Sequence, residues 1–231
     1  MSSPPTFRFH VRRLDEGPED IQFLIASFDA ALPYLAAIGS ADQWRSQPFS
    51  ERPDVADQLK ELEQVRRYQR TGDGDPIQMF IAEAEIPPSA VDELPASVHV
   101  RTAIDKKKLL AVGSVRLLEG ICPAYVRAHF DQDPIRRELD GATDYVYLEA
   151  LITDYRTGSW RKGSGAMLVE YARQFCREKG KKALYLDAFA GNGRKLVKYY
   201  EKQGFSVVDD FEHPVPNGSK WPGALLRMDI V

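Results

Sequence analysis

The sequence predicts an α/β fold, and three observations carry that prediction. Between residues 145 and 231, strand-like and helix-like stretches alternate, separated by glycine-containing breaks. Ahead of them, two apolar runs of strand length, Ile77–Ile86 and Leu109–Leu118, stand among segments of helical spacing. Hydrophobic residues make up 43% of the 231, enough to bury a sizeable core.

The elements follow in order. Phe7 to Leu14 alternates apolar and polar residues, as a half-buried strand does. Asp15–Asp20 supplies a turn and the acidic residues of a helix start, and Ile21–Ile38 is helical, with Pro33 expected to kink or divide it. Trp44–Pro53 is a polar, proline-broken connection whose aromatics, Trp44 and Phe49, look exposed. Val55–Arg70 is a second, highly charged helix, and Thr71–Pro76 is the clearest turn in the chain. The strand 77–86, a loop over 87–99 and the strand 109–118 come next. The stretch 121–139 is predicted to hold a short helix near Pro134–Leu139.

Tyr145–Thr153 is then a strand rich in β-branched and aromatic residues. It leads into Trp160-Arg161-Lys162-Gly163-Ser164-Gly165-Ala166 and an amphipathic helix, Met167–Gly180. A basic, glycine-containing turn at the mouth of a helix is an anion site. Glycines let backbone N–H groups approach a phosphate, and the helix N-terminus adds a favourable dipole. Arg161 and Lys162 beside those amides favour a diphosphate. The strand Ala183–Ala190, a Gly191-Asn192-Gly193 break and a helix with Leu196, Tyr199 and Tyr200 follow. That helix stops at Gly204, a strand resumes at Phe205, 213–222 is a loop with three prolines, and Ala224–Val231 is a terminal strand.

This order, with Gly163 and Gly165 in the first turn and Tyr200 four residues before Gly204-Phe205, resembles the GCN5-related N-acetyltransferase (GNAT) superfamily. The resemblance covers 145–231 well and the first 140 residues as an order of elements. Trp160 stands at the family's Arg/Gln position with Arg161 one place later, the loop 154–160 is about two residues longer than usual, and Asn192 lies one residue before the family's helix-starting Asn. The resemblance implies a mixed, mostly antiparallel sheet with splayed middle strands and flanking helices. It implies a single domain over 1–231, in which 1–140 holds the first strand, the substrate-wall helices and the early sheet, and 141–231 forms the acyl-coenzyme A core. Acetyl-coenzyme A would be gripped by Arg161, Lys162, Gly163, Ser164, Gly165 and Ala166, by the backbone of Leu151, Ile152 and Thr153, and by Asn192, unless Asn192 is a plain helix cap.

Acetyl transfer to an amine needs a neutral amine, a polarised thioester carbonyl and a proton for the departing thiolate. A free amine has a pKa near ~10, so a base or water relay helps remove its proton. Glu149 is the candidate base, because a carboxylate in an apolar strand is costly unless it faces a cleft or a partner. It is either that base or the partner of a neighbouring Arg or Lys. Period-two geometry puts Tyr147, Glu149, Leu151 and Thr153 on one face. By the resemblance Tyr200 protonates the thiolate, while Tyr199 is the aromatic core residue. Asp187, a second carboxylate in a strand, either binds a substrate ammonium or caps a turn, and it is the next candidate base. Trp44 and Phe49 stand where the family places its substrate wall.

Composition narrows the remaining classes. A net charge of −3 argues against a nucleic-acid binder, and no apolar run approaches the ~20 residues that span a bilayer. The N-terminus has no signal-peptide pattern, so a cytoplasmic setting is expected. Cys122 and Cys176 are too few and too distant for a disulfide framework, and His10, His99, His129 and His213 lack metal-ligand spacing, so no metal is expected. No Ser-His-Asp or Cys-His arrangement is legible, which favours direct transfer in a ternary complex over an acyl-enzyme. The expected substrate is a small-molecule primary amine and the expected assembly a monomer or homodimer. A protein lysine or N-terminal acetyltransferase and a non-catalytic coenzyme A sensor are the alternatives.

Overall fold

A computed structural model describes residues 8–14, 17–53, 55–129, 139, 142–215 and 218–231. Among these residues, eight strands form one sheet: β1 (Phe9–Arg13), β2 (Ile77–Ile86), β3 (Val100–Thr102), β4 (Lys108–Glu119), β5 (Tyr145–Thr153), β6 (Ala183–Phe189), β7 (Ser206–Pro214) and β8 (Lys220–Asp229). Their order is β1-β2-β4-β5-β6-β8-β7, with β3 paired to β4 off that path. Every pairing is antiparallel except β5–β6, which is parallel.

Strand alternation sorts the core onto two faces. On one face Phe80, Val112, Val146, Leu148, Leu186 and Leu226 pack against α4 (Ser164–Glu178) and α5 (Gly191–Lys202). On the other, Met79, Ile81 and Ala111 pack against Phe23 and Leu24 of α1 (Pro18–Ala37) and Leu62 and Val65 of α2 (Val55–Thr71). Tyr145, Tyr147 and Tyr185 continue that second face, against Val126 of α3 (Ala124–Arg127).

Pro33 does not divide α1. The buried stripe of the helix continues from Ala31 before the proline to Leu35 after it, and this packing outweighs the one lost backbone hydrogen bond. Two short 3-10 turns, Ala41–Gln43 and Phe49–Glu51, shape the connection to α2. Phe49 is buried there, contrary to expectation, with its ring 4.6 Å from Phe28. The expected loop at 213–222 narrows to a hairpin, since Pro214 pairs with Lys220 and Pro222 with Glu212. Pro214 is tolerated because β7 is an edge strand. The short helix expected near 134–139 lies outside the described residues apart from Leu139.

A buried ion network that the sequence reading did not foresee anchors α1 to the sheet. Glu83, fully buried on β2, takes two hydrogen bonds of 2.6 Å from Arg101 and one of 2.8 Å from Arg12. Arg12 also grips Asp20 of α1 through two 2.6 Å bonds. Burial pushes the Glu83 carboxyl up, but the hydrogen bonds from Arg101 and Arg12 outweigh it and hold it below the usual range.

Candidate active site

The two central strands fork. β5 and β6 pair only over Tyr145–Leu148 and Ala183–Leu186, and beyond that point Glu149–Thr153 and Asp187–Phe189 have no pairing with each other. A β-bulge marks the start of the fork: Leu117 faces Leu148 and Arg116 faces Ala150, leaving Glu149 as the extra residue. The bulge also breaks the expected alternation. Tyr147 and Ile152 lie on the α1/α2/α3 face, whereas Leu151 packs with the α4 core beside Val146 and Leu148. The single face proposed for Tyr147, Glu149, Leu151 and Thr153 therefore does not exist.

The glycine turn feeds α4. Gly163 is its N-cap, with φ 89° in the left-handed region that favours glycine. The first-turn amides of Ser164, Gly165 and Ala166 have no acceptor within the helix and point out of its end. Ser164 is buried and donates its hydroxyl to the Arg161 carbonyl at 2.7 Å, which fixes the turn. Thr153 and Leu151 reach Gly165 from β5: a Cβ there would lie 3.6 Å from Thr153 Cγ2 and 3.1 Å from the Tyr199 hydroxyl. The long preceding loop is a 3-10 turn built on Asp154, whose buried carboxylate accepts the Arg156 amide at 3.0 Å and its guanidinium at 2.9 and 2.8 Å. The Arg161 guanidinium lies 3.8 Å from the centre of the Tyr155 ring, and Tyr155 stacks on Tyr34. Among the described residues, the buried Arg161 Nε has no hydrogen-bond partner. Lys162 is exposed at the cleft. Exposed amides, a left-handed glycine and two cations suit a diphosphate.

Two carboxylates flank the fork. Glu149 Oε2 is 2.8 Å from Arg116 Nε, and Arg116 Nη1 donates to Glu61 Oε2 at 3.0 Å. Burial pushes the Glu149 carboxyl up, while Arg116 opposes that shift only in part. Asp187 Oδ1 accepts hydrogen bonds from Tyr147 at 2.6 Å and Tyr125 at 2.7 Å. Burial pushes its carboxyl up too, against those two hydrogen bonds. These two phenols and its own backbone amide hold the Asp187 carboxylate.

Tyr199 and Tyr200 both line the same cleft, with ring centres 5.2 Å apart. Tyr200 is the buried one and packs edge-on against Phe205. Burial pushes its phenol up, so the ring holds its proton. Tyr199, expected in the core, is half-buried with its hydroxyl toward the glycine turn. Asn192, with φ 49°, donates its side-chain amide to the Ile38 carbonyl at 2.6 Å and to Ser40 Oγ at 2.8 Å, tying the start of α5 to the end of α1. Both hydrogens of its NH₂ group serve these two bonds. Trp44 and Phe49 join Phe28 in an aromatic wall, with the Arg52 guanidinium 3.5 Å above the Phe49 ring.

Arg161, Lys162, Gly163, Gly165, Glu149, Asp187, Tyr199, Tyr200, Trp44 and Phe49 border one cleft of about 1090 Å³, whereas Ser164, Tyr147 and Asn192 are not among its lining residues. Sequence reasoning missed Arg116, Tyr125 and Tyr147. Arg116 carried the signal used for Glu149, a lone charge in an apolar strand. Tyr147 stood two residues before Glu149, and only the parallel pairing of β5 with β6 brings it to Asp187. Nothing in the sequence near Tyr125 announced its partner. Among the described residues, no group of three or more His, Cys, Asp or Glu side chains could hold a metal, and no helix is long and apolar enough to cross a membrane.

Known proteins place this architecture. The model of the acetyltransferase (GNAT) family matches residues 78–205. A putative GNAT acetyltransferase from Desulfovibrio desulfuricans superposes with a TM-score of 0.50 at 15% identity, covering 97% of this chain and 100% of its own. A putative acetyltransferase from Salmonella typhimurium, solved with acetyl-CoA, gives 0.52 at 13% identity over 96% of this chain and 94% of its own. Spermidine N-acetyltransferase from Vibrio cholerae, solved with CoA and spermine, gives 0.53 at 16% identity over 96% and 95%. No relative was found among curated protein sequences.

Proposed function

Because the chain belongs to the acetyltransferase (GNAT) family, we propose that it moves an acetyl group from acetyl-coenzyme A to a small primary amine, directly, within a ternary complex. The observation that carries this reading is the fork: two half-buried carboxylates stand where β5 leaves β6, in the same cleft as an anion-binding glycine turn.

The coenzyme's diphosphate sits on the first-turn amides of α4, beside Arg161 and Lys162. A Cβ at Gly165 would crowd this approach. Its pantetheine arm runs along Leu151, Ile152 and Thr153, whose unpaired backbone on the fork side can supply hydrogen bonds to the arm and to the thioester carbonyl. The acceptor enters from the α1/α2 face, along Trp44 and Phe49, and brings its ammonium to Glu149 and Asp187.

Glu149 takes a proton from the ammonium, directly or through one water. An unperturbed carboxylate is a weak base toward an amine of pKa ~10, and the burial that raises Glu149 reduces that mismatch. The neutral nitrogen attacks the thioester carbonyl carbon, the C–S bond breaks, and the sulfur leaves as a thiolate. Tyr200, held neutral by burial, donates its proton to that sulfur. Asp187, with two phenols fixing its orientation, holds the ammonium in place before deprotonation. Cys122 and Cys176 are both buried, and burial pushes the Cys176 thiol up to about 12, so neither supplies a thiolate nucleophile.

The test is a coenzyme A-release assay over amines, amino acids, aminoglycosides, polyamines and peptides, with each product identified by mass. Acetylated small amine with stoichiometric release of coenzyme A supports the reading. Release without acetylated product, or acetylation confined to peptides, overturns it.

A further inference from the structure

The cleft does not end at the two carboxylates. It continues toward α1 and α2, where the half-buried Ile25 and Phe28 line it beside the closed core of Leu24, Leu62 and Met79. Leu59, at 36% exposure, stands at the rim. The polar groups on the floor of this trough, Arg116 and Glu61, are paired with each other at 3.0 Å, so what remains for a ligand there is hydrocarbon surface. At its inner end stands Glu149, 2.8 Å from the same Arg116. An apolar channel that closes on a carboxylate fits a molecule with a hydrocarbon body and a cationic head.

We propose that the acceptor is an amphipathic amine whose alkyl or aryl body lies in the trough along Ile25, Phe28 and Leu59 while its ammonium reaches Glu149. This rests on the acetyl-transfer reading and narrows its substrate. An acyl chain on the coenzyme would be the other source of hydrocarbon. The geometry favours the acceptor, because the coenzyme approaches from the α4/α5 side, along Leu151 and Gly165, whereas the trough lies on the opposite face of the sheet.

The experiment has two arms. In the first, kcat/KM is measured with acetyl-coenzyme A and straight-chain amines from ethylamine to octylamine. In the second, ethylamine is kept and the donor runs from acetyl- to octanoyl-coenzyme A. The proposal expects a rise of roughly fourfold per added methylene in the first arm until the trough is filled, the value for complete burial of each group, and none in the second. A rise in the second arm alone assigns the trough to the acyl chain and overturns the proposal, as does a flat first arm while ethylamine is still acetylated. Affinity of the same amines for the coenzyme A complex, measured by calorimetry, separates the two levels of inference. Affinity that climbs with chain length without any acetylated product keeps the trough assignment and sinks acetyl transfer, whereas affinity independent of length sinks the trough. Leu59→Asn, at a half-exposed rim position that the fold tolerates, should lower the hexylamine-to-ethylamine ratio of kcat/KM several-fold; an unchanged ratio counts against the trough.

Discussion

Gly163→Ala separates a coenzyme grip from a mere turn. Gly163 has φ 89° and ψ −14°, so an L side chain there carries a left-handed strain of about 1–2 kcal/mol. The added Cβ meets little else, since its nearest neighbour would be Phe9 Cε2 at an ordinary 3.7 Å. For a chain of this size the strain lowers Tm by roughly 2–8 °C. Ligand stabilisation is read separately. Acetyl-coenzyme A at 100 times its Kd stabilises the native protein by about 2.7 kcal/mol, or roughly 5–11 °C. If the methyl group holds the diphosphate off the amides and weakens binding 100-fold, the same concentration contributes about 0.4 kcal/mol, roughly 1–2 °C. Differential scanning fluorimetry with and without acetyl-coenzyme A reports both numbers from one sample. A variant that melts lower but keeps the full ligand-induced rise would show that the turn does not hold the diphosphate.

Other expectations follow from the same geometry. Tyr200→Phe should lower kcat by about 10²–10⁴-fold with coenzyme affinity nearly kept, and Tyr199→Phe should cost far less turnover; the reverse order, by steady-state kinetics, would move the proton donor to Tyr199. Asp187→Asn should raise KM for the amine more than it lowers kcat. Because burial raises the folded-state Asp187 pKa, its charge costs stability above both pKa values and that cost fades as pH falls. Wild type should therefore gain stability relative to Asp187→Asn on acidification, a trend that urea titrations at several pH values can confirm or refute. Glu83→Ala leaves Arg12 and Arg101 without their shared carboxylate and should cost about 3–5 kcal/mol in the same titrations. The Glu83 contribution is present above the unfolded carboxylate pKa and is lost as pH falls through its lowered folded value.

Local patterns exposed the elements and the glycine turn. Strand and helix stretches bounded by glycine were legible because hydrophobic period and turn chemistry are local properties, and β2 fell on its expected residues. Phe49 misled because a polar, proline-rich neighbourhood says nothing about Phe28, twenty-one positions away, against which it packs. The faces of β5 went wrong for a related reason. One bulged residue inverts the alternation that follows it, and the bulge is set by pairing with Arg116 on another strand. The anion turn could be read from Gly163 and Gly165 alone, whereas the partners of Glu149 and Asp187 come from β4, α3 and β5 and meet only when the sheet is assembled.

The central claim, that a half-buried carboxylate on the forked strand takes the proton of an amine acceptor, is tested most directly by the pH dependence of kcat/KM for wild type and Glu149→Gln. A base must be ionised to act, and burial raises the Glu149 pKa. The wild-type profile should therefore rise through an ionisation above the ordinary carboxylate range. Glu149→Gln should lose that ionisation, be slowest relative to wild type near neutrality, and recover partly at high pH as the amine itself becomes neutral, with coenzyme binding retained by calorimetry. A Glu149→Gln enzyme that binds the coenzyme and follows the wild-type profile at the wild-type rate would contradict the claim.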